Sequence, residues 1–201
     1  SMVYAPILIP TLCRDEHFIR CIESLKKNSW AKYTQIYVAL DYPIKATQWS
    51  GYNKILDYLT GDFSEFAGMN VFKRTHNYGA HDNVVDARNK LLEEYDRFIY
   101  TDDDCEFSSH FLEYMDLCLE KYENDEDVLG VTGYSYPVEW DIEKKYNAFK
   151  SSLIFPMWGT GFWRDKFERM LTDLKRDYIG EYVRHNVINR QYMTNARYLD
   201  C

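Results

Sequence analysis

The 201-residue chain is poor in the features that assign a protein quickly. It has no run of 18 apolar residues, so no segment is expected to span a membrane. Its five cysteines (Cys13, Cys21, Cys105, Cys118 and Cys201) are odd in number, irregularly spaced and without a CxxC pair. That argues against a disulfide framework or a zinc site and favours a reducing compartment. Basic residues are in deficit, 24 Lys and Arg against 32 Asp and Glu, for a net charge of −8. A broad nucleic-acid-binding face, which needs cations to neutralise phosphates, is therefore not expected. There is no internal repeat, low-complexity tract or linker composition, so one domain spanning 1–201 is expected. No signal peptide is recognisable, and Ser1-Met2 reads as a cloning remnant before a native start. The expected location is cytoplasmic, or peripheral at a membrane surface.

What is present is a globular composition, 46% hydrophobic and 28% charged, with 17% aromatics including 18 Tyr. Aromatic rings with a polar handle suit stacking on sugars or bases, and equally suit an aromatic-rich core. The most informative run is Phe98-Ile99-Tyr100-Thr101-Asp102-Asp103-Asp104-Cys105-Glu106. A short β-prone stretch here delivers three adjacent carboxylates to its C-terminal end. Like charges so close repel, and a divalent cation or a donor network relieves them. Hard oxygen donors suit Mg²⁺ or Mn²⁺, which bridge phosphates.

Around this run the pattern alternates. Strands are expected at 3–10, 35–40, 70–74 and 97–101, and helices at 17–28, 52–59 and 83–95. Such alternation predicts a parallel sheet flanked by helices. Open sheets of this kind hold ligands at the carboxyl ends of their strands, which would gather Arg14, Asp41 and Asp102 to Asp104 along one edge. The second half is less regular: a helix at 110–122, a strand at 128–133, a loop or lid at 134–150, the apolar, Gly-broken segment 155–163 and a helix at 164–176.

Several pieces match one family. Ile7-Leu8-Ile9-Pro10-Thr11-Leu12-Cys13-Arg14 with Cys21-Ile22-Glu23-Ser24-Leu25, Val38-Ala39-Leu40-Asp41, Asn77-Tyr78-Gly79 with Ala87-Arg88-Asn89, Asp102-Asp103-Asp104, and Trp158-Gly159-Thr160-Gly161-Phe162-Trp163 occur in order along the chain. Together they resemble nucleotide-sugar-dependent glycosyltransferases of the GT-A fold, nearest family 2 and the N-acetylglucosaminyltransferase I group. The resemblance implies a Rossmann-like, mixed but mainly parallel α/β sheet. It implies a nucleotide-binding half at about 3–106 and an acceptor half at about 107–201. It further implies sugar transfer from a nucleoside-diphosphate sugar, UDP-linked by preference, to a hydroxyl on a glycan, lipid-linked or protein acceptor.

Roles follow by the same resemblance. Asp104 is the direct ligand of Mn²⁺ or Mg²⁺, and Asp102 holds a metal-bound water or the ribose. Asp103 faces the ribose or sugar hydroxyls, with a strand-end cap as its alternative. Asp41 accepts from ribose or base, unless it is only a turn Asp before Tyr42-Pro43. Arg14 and Arg88 are diphosphate clamps, Arg88 alternatively a surface ion-pair partner. Asn77 and Gly79 shape a loop over the nucleotide. Trp158 and Trp163 either stack on acceptor sugar or pack in the core. An inverting enzyme needs a carboxylate base, and Glu181 is preferred over Asp177 and Asp165, although the usual family 2 Glu-Asp pair is absent. His185 is a further metal-ligand candidate.

Rival readings fail on particular residues. An EF-hand count starting at Asp102 places Phe107 where the turn needs Gly. A sugar-nucleotide pyrophosphorylase needs a Gly-rich loop after the first strand, and residues 10–14 contain no Gly. An aspartyl phosphatase needs its acids near the first strand. A non-catalytic nucleotide-sugar or carbohydrate-binding module on the same scaffold stays open.

Overall fold

A computed structural model of the chain describes residues 1–133 and 158–175, with side chains through 172. Two compact units emerge: Ser1–Asp141 with Pro156–Arg164, and Ile142–Phe155 with Asp165–Cys201. The first holds strands β1 (Ile7–Thr11), β2 (Gln35–Leu40), β3 (Gly68–Lys73), β4 (Arg97–Tyr100), β5 (Val131–Thr132) and β6 (Thr160–Trp163). Its helices are α1 (Asp15–Lys26), α2 (Trp49–Tyr58), α3 (Ala80–Glu94) and α4 (Phe111–Tyr122). Helix α5 (Arg164–Lys175) begins at the last residue of the first unit and runs on in the second.

The strands form one six-stranded sheet in the order β3-β2-β1-β4-β6-β5. β1 to β4 are mutually parallel, and β6 runs antiparallel to both β4 and β5. From β1 the chain steps outward to β2 and β3, with α1 and α2 packed against each other. It then returns through α3 to β4 on the other side of β1. Right-handed crossovers force α3 onto the opposite face from α1 and α2, and the reversal opens a crevice beyond the ends of β1 and β4.

Strand alternation builds the core. Ile7 and Ile9 of β1, Ile36, Val38 and Leu40 of β2 and Ile99 of β4 share one face. They pack with Phe18, Ile22 and Leu25 of α1, Ile55 of α2, and Leu112, Met115 and Leu119 of α4. Each fully buried aliphatic or aromatic side chain here contributes roughly 1.5–3 kcal/mol. α3 turns Ala87, Leu91 and Leu92 inward against β1, β2 and β4. Trp163 lies in this core, 2% exposed, donating its indole N–H to the Leu119 carbonyl at 3.2 Å. Of its two sequence readings, core packing is the one the fold adopts, and the ring presents no face to an acceptor.

Element boundaries moved where the apolar pattern outran backbone pairing. The opening strand is five residues, Ile7–Thr11, and Val3 ahead of it is 41% exposed. The expected strand at 128–133 shortens to Val131–Thr132, which among the described residues pairs with β6 alone. Residues 134–150, 155–157, 176 and the tail beyond lie outside the described residues, as do Asp177, Glu181 and His185. No helix among the described residues is long and apolar enough to cross a membrane.

At the far end of the sheet sit two buried charges. Arg97 is 2% exposed and donates to Asp96 at 2.9 Å and Glu123 at 3.0 Å. Asp116 of α4 is fully buried; its Oδ1 accepts from the Ala5 amide at 2.9 Å, and its Oδ2 meets no hydrogen-bond partner among the described residues. Burial pushes the Asp116 carboxyl up to about 7, against the opposing pull of the Ala5 amide and Arg97. A carboxyl raised above its unfolded value of about 3.9 stabilises most at low pH, and that contribution is lost as pH climbs through 7. Asp116→Asn keeps the acceptor for Ala5 and removes the titration. Its stability relative to wild type should rise from pH 4 to pH 8 by up to ~4 kcal/mol, read from urea midpoints. Parallel pH curves for the two proteins would refute this assignment.

Candidate functional site

The carboxyl ends of four adjacent strands carry a continuous set of polar contacts. Thr101 follows β4, and its amide donates to Leu8 at 3.2 Å, carrying the pairing to the strand's end. Asp103 then turns inward, 3% exposed. Its Oδ2 accepts from the Thr11 hydroxyl at 2.8 Å, and its Oδ1 accepts from the Arg14 guanidinium. Arg14 donates its other terminal nitrogen to Asp104 at 3.2 Å. Burial works against the charged guanidinium, yet its hydrogen bond with Asp103 and the charges of Asp103, Asp104 and Asp102 outweigh this and raise its pKa. Asp104 is exposed, and Asp102 is fixed by the Tyr100 hydroxyl at 2.9 Å. Burial, followed by the charge of Asp102, raises the Tyr100 phenol.

The line continues across β1 to β2. The Asp41 amide donates to the Thr11 carbonyl at 3.0 Å. Asp41, 4% exposed, accepts the amides of Tyr42 and Tyr78 on its Oδ1, each at 2.8 Å. Asn77 reaches back to the Tyr42 carbonyl at 2.8 Å. Gly79 caps α3 with φ +82°, a conformation that L side chains resist. Thus Arg14, Asp41, Asn77, Gly79, Asp102, Asp103 and Asp104 come together at one edge. Arg88 lies half-buried in mid-α3, where burial lowers its pKa. Trp158 precedes β6 and is 36% exposed. The next residue, Gly159 (φ +61°), lies against Phe107, just beyond the acidic run.

Sequence reasoning did not pick out Thr11, Arg74 or Asn83 as site residues. Thr11 was legible only as part of a loop motif, although a hydroxyl at a strand end beside an acidic run is a usable signal. Arg74 and Asn83 have no local signature: their pairing across nine positions exists only once α3 folds onto the end of β3.

A divalent cation fits the donor set. Mg²⁺ and Mn²⁺ take one or two protein carboxylates and complete their shell with phosphate oxygens and water. Asp104 is solvent-facing, and the Asp102 Oδ2 takes no protein hydrogen bond among the described residues. Asp103 is already committed to Thr11 and Arg14 and serves as their anchor. Among the described residues no three His, Cys, Asp or Glu side chains form a ready-made cage.

No protein-family model matches the chain, and no curated protein matches it by sequence. Solved structures do share its fold. A 1–349 fragment of TarS from S. aureus superposes with a TM-score of 0.55 at 13% identity, over 83% of this chain and 49% of that one. The mannosyltransferase PcManGT from Pyrobaculum calidifontis, in complex with GDP-Man and Mn²⁺, gives 0.53 at 14% identity, over 85% and 47%. The chain spans about half the length of each. Its mixed α/β sheet flanked by helices is therefore one found in glycosyltransferase structures.

The loop bearing Arg14 depends on one glycine. A Cβ on Gly51 of α2 would lie 1.9 Å from the Cys13 carbonyl oxygen, so only Gly lets α2 seat against that loop. Gly51→Ala is expected to cost about 1–3 kcal/mol, lowering the melting temperature by roughly 2–4 °C per kcal/mol at this chain length. A melting curve unchanged from wild type would show that the contact yields freely.

Proposed function

We propose that the chain is a metal-dependent glycosyltransferase domain. It moves a sugar from a nucleoside-diphosphate donor, UDP-linked by preference, to a hydroxyl acceptor with inversion. The observation that carries this reading is the clustering of Arg14 and Asp102 to Asp104 at the β1/β4 crevice, with Asp41 one strand away. This is where an open sheet admits a nucleotide, and the fold supports it. The closest family reading is family 2 and the N-acetylglucosaminyltransferase I group, in a cytoplasmic or membrane-peripheral setting, with one domain serving both donor and acceptor.

Asp104, with Asp102, would hold Mn²⁺ or Mg²⁺. When bound, the ion supplies Lewis-acid neutralisation of charge building on the departing diphosphate. Arg14 shares that load, its guanidinium matching phosphate geometry. Asp103 keeps Arg14 aimed at the crevice. Asp41 keeps one oxygen for the nucleoside, since the other is taken by two backbone amides. Asn77 and Gly79 shape the adjoining loop, Arg88 is a second candidate for the diphosphate, and Trp158 offers an exposed ring for the acceptor. Glu181, outside the described residues, is our candidate base for the acceptor hydroxyl.

Binding of UDP should be Mn²⁺-dependent and should raise the melting temperature, since a ligand held only by the native state stabilises it. Asp104→Asn should weaken Mn²⁺-dependent UDP binding at least tenfold, about 1.4 kcal/mol, by calorimetry; unchanged affinity would remove the metal from this site. Glu181→Gln should abolish transfer from a labelled UDP-sugar and spare UDP binding, and near-wild-type turnover would place the base elsewhere. A non-catalytic nucleotide-sugar or carbohydrate-binding module on the same scaffold is the second reading. Metal-dependent UDP binding without turnover across varied acceptors would select it.

A further inference from the structure

Arg74 is a charge buried where the proposed chemistry has no direct use for it. It follows the edge strand β3 and is 5% exposed. Its amide donates to the Leu40 carbonyl at 3.0 Å, fixing it beside the end of β2. Each nitrogen of its guanidinium donates one hydrogen bond. Nε donates to Asn83 Oδ1 at 2.9 Å, Nη2 to the Asn83 carbonyl at 3.1 Å, and Nη1 to Asp86 at 2.6 Å. Asn83 in turn donates to the Ala39 carbonyl at 2.9 Å, tying α3 to β2 one residue before its end.

The central carbon of this guanidinium lies over the Tyr78 ring, 4.4 Å from its centre. The His76 ring packs on the same tyrosine at 4.7 Å. Tyr78 thus belongs to a short stack whose base is a buried, immobile cation. Its backbone amide is the one that donates to Asp41 Oδ1. The order of contacts is Asp86 and Asn83 to Arg74, Arg74 to the Tyr78 ring, and the Tyr78 amide to Asp41.

We propose that Arg74 is a positioning residue for nucleoside recognition: through Tyr78 it clasps residues 75–79 down onto Asp41 and fixes which carboxylate oxygen faces the ligand. This rests on the donor-site reading above. It separates two parts of the edge. Arg14, Asp103 and Asp104, at β1 and β4, address a diphosphate. Asp41 and the clasped loop, at β2 and β3, address the nucleoside. Arginine is suited to the task because one planar group can stack on a ring and donate in its own plane at once, which the point charge of lysine does not reproduce.

The test compares UDP with inorganic pyrophosphate, each with Mn²⁺, on wild type, Arg74→Met and Tyr78→Leu. Tyr78→Leu leaves every hydrogen bond of Arg74 in place and removes only the ring. Both variants should bind UDP about tenfold more weakly and pyrophosphate as wild type does, with faster hydrogen exchange at the Tyr78 amide. Equal weakening of both ligands would mean a general structural role and overturn the proposal, as would unchanged UDP affinity in a folded Tyr78→Leu. If the wild-type chain binds neither ligand, the donor-site reading falls and the nucleoside role of Arg74 falls with it. Amide exchange decides the clasp separately: equal exchange at Tyr78 in wild type and Tyr78→Leu would disprove it.

Discussion

The site depends on one buried carboxylate. Asp103 sits where β1 and β4 end side by side, and both of its oxygens are committed, one to the Thr11 hydroxyl and one to Arg14. A carboxylate this deep is tolerable only while it is paired and hydrogen-bonded; left alone, its desolvation would be severe. The requirement works in both directions. It holds the β1–α1 loop against the acidic run, and it keeps a guanidinium at the crevice when no ligand is there. Asp102 and Asp104 flank an anchored residue, which limits the freedom of both. The three acids are thus not equivalent: the middle one is buried with both oxygens bonded, and the outer two are more open to solvent.

From that anchor the edge extends as a chain of short contacts rather than a set of independent side chains. Thr11 joins Asp103 to Asp41 through its side chain on one side and its carbonyl on the other. Asp41 joins β2 to the loop before α3. Such coupling favours a preformed site, in which little conformational entropy is lost on binding. Substitutions along this line are accordingly expected to be non-additive, since neighbours share partners.

Much of this was legible in the residues, and the pattern of what was legible has physical causes. The strand Gln35–Leu40 was expected with its observed limits, because β-branched and aromatic residues bounded by a Thr before and an Asp-Tyr-Pro turn after admit little else. The gathering of Arg14, Asp41 and Asp102 to Asp104 followed from topology alone, since parallel strands present their ends together. What could not be read was anything requiring two elements already docked. Trp163 sat in a Gly-rich aromatic run that suits a sugar platform and a core strand equally, and only the packing of α4 decided it. Asp103 could not be separated from its neighbours by sequence, because adjacent aspartates differ only in which way the backbone turns them. Arg74 and Asn83 meet across the β3–α3 connection and carry no motif. The strand expected at 128–133 is shorter in the fold because only Val131 and Thr132 come into register with β6, and sequence carries no trace of that register.

Gly51 has a wider consequence. Helix α2 touches the Cys13 carbonyl so closely that no methyl group fits between them. At its amino end the same helix carries Trp49 and Tyr52, whose rings meet Tyr42 edge-on beside Asp41. One helix therefore bears on the Arg14 loop with its backbone and on the Asp41 loop with its aromatics. Any rotation of that helix would shift both loops in a single movement, so the spacing between Arg14 and Asp41 is tied to a helix that carries neither residue.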